Sequence, residues 1–138
     1  MPEILSFEEI TISRTFKDCS RRSIEIEPPT LSNPVDAVVI CDIEWKGNPM
    51  DKKIYLLWTN ITENTDANFW ANIQEKTIAA LGSVPPYVFI PKSRIIPVSS
   101  LPRMLEFMLM DPRGTGPPKV IEGEITIHLA FISYKKNH

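Results

Sequence analysis

The chain of 138 residues contains no run near the ~18 consecutive apolar residues that a membrane-spanning helix needs, so no such span is expected. It has two cysteines, Cys19 and Cys41, too few for a disulfide framework, and neither has a second ligand at a zinc-site spacing. The two histidines, His128 and His138, cannot form a histidine-rich metal centre. There is no G-x-S-x-G nucleophile elbow and no G-x-x-x-x-G-K phosphate loop. Internal repeats and low-complexity tracts are missing as well. Neither charge sign dominates: 15 bases against 17 acids leave a net charge of −2, which gives no electrostatic reason to expect nucleic acid or an anionic membrane surface as partner. No cofactor, metal, small-molecule substrate or catalytic residue is therefore expected. The opening residues, MPEILSFEEI, carry acids where a secretory leader carries bases. Together with the scarce cysteines, this makes a cytoplasmic protein the expectation, with a virion or phage origin equally compatible.

Proline, by contrast, is abundant: thirteen residues, clustered at 28–29, 85–86 and 117–118 among other places. Proline lacks a backbone donor and is expelled from helix interiors and central strands. Regular structure is thus expected in the proline-free stretches 35–48, 50–84 and 119–138, within a single domain spanning 1–138 that is long enough to bury a core. Charge is unevenly spread. Residues 1–45 hold nine acids and four bases, and residues 92–138 hold four acids and seven bases, an asymmetry that either neutralises within the fold or favours head-to-tail association.

Side-chain alternation dominates the chain. In SFEEITISRTF, Glu8, Ile10, Ile12, Arg14 and Phe16 fall on one side and Phe7, Glu9, Thr11, Ser13 and Thr15 on the other, the period of a half-exposed strand. RRSIEIEPP reads as a short strand able to form a hairpin with it. DAVVICDIEW, residues 36–45, places Ala37, Val39, Cys41, Ile43 and Trp45 on one face, where Cys41 acts as a small buried hydrophobe. Asp42 and Glu44 share the other. KIYLLWTNI follows and reads as its hairpin partner. In TDANFWANIQEKTIAALG the apolar spacing changes to three and four, with Thr65 or Asp66 as cap and Gly82 as terminator, which predicts an amphipathic helix near 66–81. LPRMLEFMLMD fits a helix or a strand buried on both faces, and the strand is preferred because a strong strand follows. That last strand, VIEGEITIHLAFISYKK, sets Ile125, Ile127, Leu129 and Phe131 opposite Glu122, Glu124, Thr126 and His128, with Gly123 as a bulge. The expected fold is mainly β (or α+β): an antiparallel β-sandwich of about six to eight strands with one helix.

Three constellations bear on function. Asp42 and Glu44, with Glu122, Glu124 and His128 on another strand, would offer acid–base chemistry or an oxygen-rich cation site if the strands converged on a cavity; alternating acids are otherwise the wet face of a sheet. Met104, Met108 and Met110 with Phe107 form the densest apolar segment, suited to the core or to a contact surface that flexible methionines serve well. Trp70 would anchor an interface if partly exposed, and Arg113 in the loop DPRGTGPPK would meet a partner surface. Basic pairs beside Tyr55 and Tyr134 raise single-stranded nucleic-acid binding as a remoter alternative, and an Asn60–Thr62 sequon has no secretory context. The expectation is a non-enzymatic interaction or structural module that self-associates. Viral or phage structural and accessory proteins and small inhibitor or immunity proteins fit that description. Interface candidates are Met104, Phe107, Met108, Met110, Arg113 and Trp70. The rival is a small enzyme or ligand-binding barrel using the acidic and histidine cluster.

Overall fold

The computed structural model describes residues 3–16, 23–47, 54–61, 77–83, 86–90, 94–110 and 122–136. They form nine strands: β1 (Ile4–Phe16), β2 (Ser23–Ile26), β3 (Ala37–Gly47), β4 (Ile54–Thr59), β5 (Thr77–Ser83), β6 (Pro86–Phe89), β7 (Arg94–Pro97), β8 (Leu105–Met110) and β9 (Gly123–Tyr134). All pairings are antiparallel, in a four-stranded sheet of order β1-β9-β3-β7 and a five-stranded sheet of order β2-β8-β4-β5-β6. One core joins the sheets in a sandwich-like arrangement: Ile12, Val38, Ile43, Ile127, Leu129 and Phe131 from the first meet Ile24, Leu57, Ile78, Leu105, Phe107 and Leu109 from the second. Burying such side chains contributes about 1.5–3 kcal/mol each relative to exposure.

The alternation read in β1 and β9 holds. Ile12 and Phe16 are buried while Thr11, Ser13 and Thr15 are exposed, and Ile125, Ile127, Leu129 and Phe131 all enter the core. Leu105–Met110 is a strand, and its inward Leu105, Phe107 and Leu109 are at most 1% exposed.

Four expectations are corrected. The helix near 66–81 does not form over its last residues, since Thr77–Leu81 belong to β5; residues 66–76 lie outside the described set, and no described residue is helical. Ile78, Ala79 and Leu81 satisfy either period, and placement between β4 and β6 gives the backbone a ladder partner on both sides. Neither expected hairpin exists. β1 pairs with β9 and β2 with β8, while β3 and β4 lie in opposite sheets. Successive amphipathic strands can meet through their apolar faces as well as through their edges, and here Trp45 of β3 meets Tyr55 of β4 across the core, ring centroids 5.8 Å apart and edge to face at 74°.

The third correction concerns Cys41, which is exposed rather than buried. The register with β9 slips between Ile40 and Asp42, so Cys41 is the extra residue of a β-bulge. Before it Val38 and Ile40 point inward; after it Ile43 and Trp45 do. Fourth, Gly123 is not a bulge, because its register with β1 and β3 is continuous. It has φ +154°, and a Cβ there would lie 2.6 Å from Cη2 of Trp45 and 2.8 Å from the Lys46 carbonyl. Glycine makes room for the indole at the end of β3.

Candidate functional site

Alternation and register together lay out the outer face of the four-stranded sheet in rows. At one end Phe7, Ile132, Ala37 and Pro97 lie side by side, followed by Glu9, Ala130, Val39 and Ile95. Apart from Glu9 this half is apolar: Ala130 and Ile132 are 0% and 4% exposed, whereas Phe7 and Ile95 at the margins remain 48% and 55% exposed. The further rows are polar, Thr11 beside His128 and Asp42, then Ser13, Thr126 and Glu44, then Thr15, Glu124 and Lys46.

The acidic sides of β3 and β9 therefore do meet, and they meet on an outward face. Thr11 Oγ1 lies 3.2 Å from His128 Nδ1, and His128 Nε2 lies 3.2 Å from Glu44 Oε2. Ser13 and Thr126 hydroxyls pair alongside at 3.2 Å. The hydroxyl, imidazole and carboxylate form a chain along which a proton can be shared. The side chains of His128 and Glu44 are 36% and 62% exposed, so water screens the cluster and no low-dielectric enclosure strengthens it. Among the described residues, no three His, Cys, Asp or Glu side chains come together to hold a metal ion, and no helix is long and apolar enough to cross a membrane.

Cys41 sits next to this cluster. Partial desolvation, and after it the negative charges of Glu9 and Asp42, push its thiol up. At the opposite end of the sheet Asp36 is a four-way junction. Its backbone N–H donates to Ile132 and its carbonyl accepts from Val98 N–H, while its carboxylate accepts from Tyr134 N–H and from Lys136 Nζ, each at 2.8 Å. The Lys136 hydrogen bond, then the Tyr134 amide, hold its carboxyl below the usual carboxylate range.

The outer face of the five-stranded sheet has no comparable polar half over β4, β5 and β6. Met108 lies beside Trp58, Met110 beside Leu56, Ala80 beside both Leu56 and Phe89, and Gly82 between Ile54 and Tyr87. Ile54, Tyr87 and Phe89 are 46%, 39% and 59% exposed. The polar end of this sheet is tied by Asn60, whose amide donates to Met104 O at 2.8 Å and accepts from Glu106 N–H at 2.9 Å, so the sequon asparagine is a clamp between β4 and β8.

The interface candidates divide accordingly. Met104 is exposed, Met108 is half-buried on the outer face, Met110 lies on that face but is closed over, and Phe107 is in the core. Trp70 and Arg113 lie outside the described residues. Sequence reasoning placed Phe7 on the wet side of β1 without taking it as a contact residue, and it missed Ile54, Tyr87, Phe89 and Ile95. Their signal, an apolar residue at a strand's outward position, was present, but which position is outward depends on strand partners. Comparison with known proteins returns nothing similar: no family model matches the chain, and neither does a curated protein or a solved structure.

Proposed function

We propose that this protein is a non-enzymatic interaction or structural module that associates with further copies of itself. The observation that carries the reading is the exposure of large apolar side chains on the outer faces of both sheets, Ile54, Tyr87 and Phe89 on one and Phe7 and Ile95 on the other. Isolated exposed apolar residues, as Phe7 and Ile95 are at opposite margins of their sheet, are ordinary, but adjoining ones on a flat face, as Ile54, Tyr87 and Phe89 are, mark contact surfaces. Met108 and Met110 border the first patch and add adaptable packing material. The polar cluster stands in the open, so it supports solubility and specificity at a surface better than chemistry in a pocket. The test is sedimentation equilibrium of the full chain across a hundredfold concentration range. Increasing mass with concentration is expected; a monomer throughout overturns the proposal.

A second reading, a small enzyme or ligand-binding site, is favoured by one observation, the Thr11–His128–Glu44 chain. It predicts that His128→Gln abolishes a measurable activity or binding while leaving the mass distribution untouched. Loss of association without any lost chemistry would exclude it.

A further inference from the structure

Resting on the self-association proposed above, we infer that the contact between copies is made through the edge of β1 that no described strand pairs, joined antiparallel to β1 of a second copy about a two-fold axis at Thr11. The four strands at the ends of the sheet orders are β1, β7, β2 and β6. Exposed edges template the addition of further strands, and proteins blunt them by keeping them short or placing proline or charge on them. Three edges follow that rule. β2, β6 and β7 have four residues each; β6 begins at Pro86, β7 ends at Pro97, and β2 is followed, after Glu27, by Pro28 and Pro29. Where β3 runs beyond β7 after Ile40 it is also defended, by the Cys41 bulge and by Asp42 Oδ1 accepting the Ile43 amide proton at 2.9 Å. β1 differs from them in being thirteen residues long and free of proline, and the only blunting it has is the charge of Glu8, Glu9 and Arg14.

Its charges fix a register. On the inward side of β1 stand Glu8, half-buried, and Arg14, exposed, and among the described residues neither has an ion-pair partner. Arg14 Nη1 instead donates to the carbonyl of its own neighbour Ser13 at 2.8 Å. Glu8 and Arg14 each lie three residues from Thr11, roughly 10 Å to either side at ~3.3 Å per residue. Rotation about Thr11 sets Glu8 of one copy opposite Arg14 of the other, twice, and Ile10 opposite Ile12, twice. On the outer face, Glu9 meets Ser13 and Phe7 meets Thr15. A two-fold at Ile10 places Glu8 against Ile12; one at Glu9 sets Glu9 against itself. Registers shifted by one residue oppose inward to outward side chains, which the alternation of β1 forbids. The product is a continuous eight-stranded sheet with both cores on the same side.

The test uses charge reversal in the full chain, with sedimentation equilibrium as readout and far-ultraviolet circular dichroism to verify folding. Glu8→Lys and Arg14→Glu should each raise the dimer dissociation constant at least about tenfold, because each turns two attractive cross-strand pairs into two repulsive ones. An equimolar mixture of the two variants should recover wild-type affinity as a heterodimer. If Glu8→Lys does not fold, Glu8→Gln replaces it with a weakening of about threefold expected. Wild-type protein that associates while both reversals leave the constant unchanged overturns the β1 interface and spares the self-association reading. Weakening without recovery in the mixture overturns the register. A wild-type monomer at every concentration overturns both readings.

Discussion

His128 forms its ion-pair geometry with Glu44 diagonally: its register partner on β3 is Asp42, yet Nε2 lies 3.2 Å from Oε2 of Glu44, two residues further on. Diagonal neighbours lie within reach of long side chains on a sheet face. The arrangement exists only because the Cys41 bulge returns Asp42 and Glu44 to the outer side. A residue of no evident chemical use thus places two carboxylates on the wet face and Ile43 and Trp45 in the core.

Gly123→Ala should destabilise the fold by about 3 kcal/mol, since it combines a backbone conformation unsuited to L side chains with a clash against Trp45 and the Lys46 carbonyl. Gly82→Ala should cost less. The atoms in its way belong to the ring of Tyr87, a side chain 39% exposed that can swing aside. Urea unfolding of both variants checks the order, and a larger loss for Gly82→Ala would refute it.

Asp36→Asn should remove a pH-dependent contribution. The folded carboxyl has a lowered pKa, so its stabilisation is present above the unfolded value and is lost as pH falls through the folded one. The stability gap between wild type and Asp36→Asn should be open at pH 7 and close below the model-peptide value of 3.8. A gap that stays constant between pH 7 and pH 3 contradicts this.

Cys41 should react slowly for an exposed thiol. Its raised pKa lowers the thiolate fraction at neutral pH, and the thiolate is the nucleophile. In a Cys19→Ser background, alkylation at pH 7.4 should be slower than in the urea-unfolded chain. Because desolvation is the larger cause and Glu9 the next, Glu9→Gln should speed it only in part. Equal rates in the folded and unfolded chain would count against the raised pKa.

Phe107→Ala should cost about 3–5 kcal/mol, the usual range for emptying a core phenylalanine site. Met104→Ser should change stability by less than about 0.5 kcal/mol, as Met104 stands at the surface. Thermal unfolding separates the two, and a large loss for Met104→Ser would place that residue in the core.

Reading the candidate site in advance succeeded where a strand ran without interruption. Over residues 7–16 of β1 and 124–131 of β9 the two-residue period assigned the inward and outward positions, so Thr11, Thr126 and His128 could be placed on a wet face before their neighbours were known. It failed for Cys41 because a bulge changes the phase by one, and the alternating run in DAVVICDIEW carries no mark of where the extra residue sits. It failed for Thr77–Leu81 because a short apolar run fits a helix and a strand equally well. Ile54, Tyr87 and Phe89 could not be recognised as surface residues while their strand was taken for a hairpin partner of β3 or their partners were unknown.

What the amino-acid order determines by itself is local: which segments extend, which face of each is oily, and where proline ends them, because these follow from side-chain direction and backbone sterics within a few residues. Which strands share a ladder is decided only in the folded chain. Every strand edge offers the same N–H and C=O groups, so hydrogen bonding cannot choose among partners. The choice falls to how all the oily faces fill one core together, and that put β3 and β4 in different sheets, brought Glu44 to His128, and left β1 at an edge.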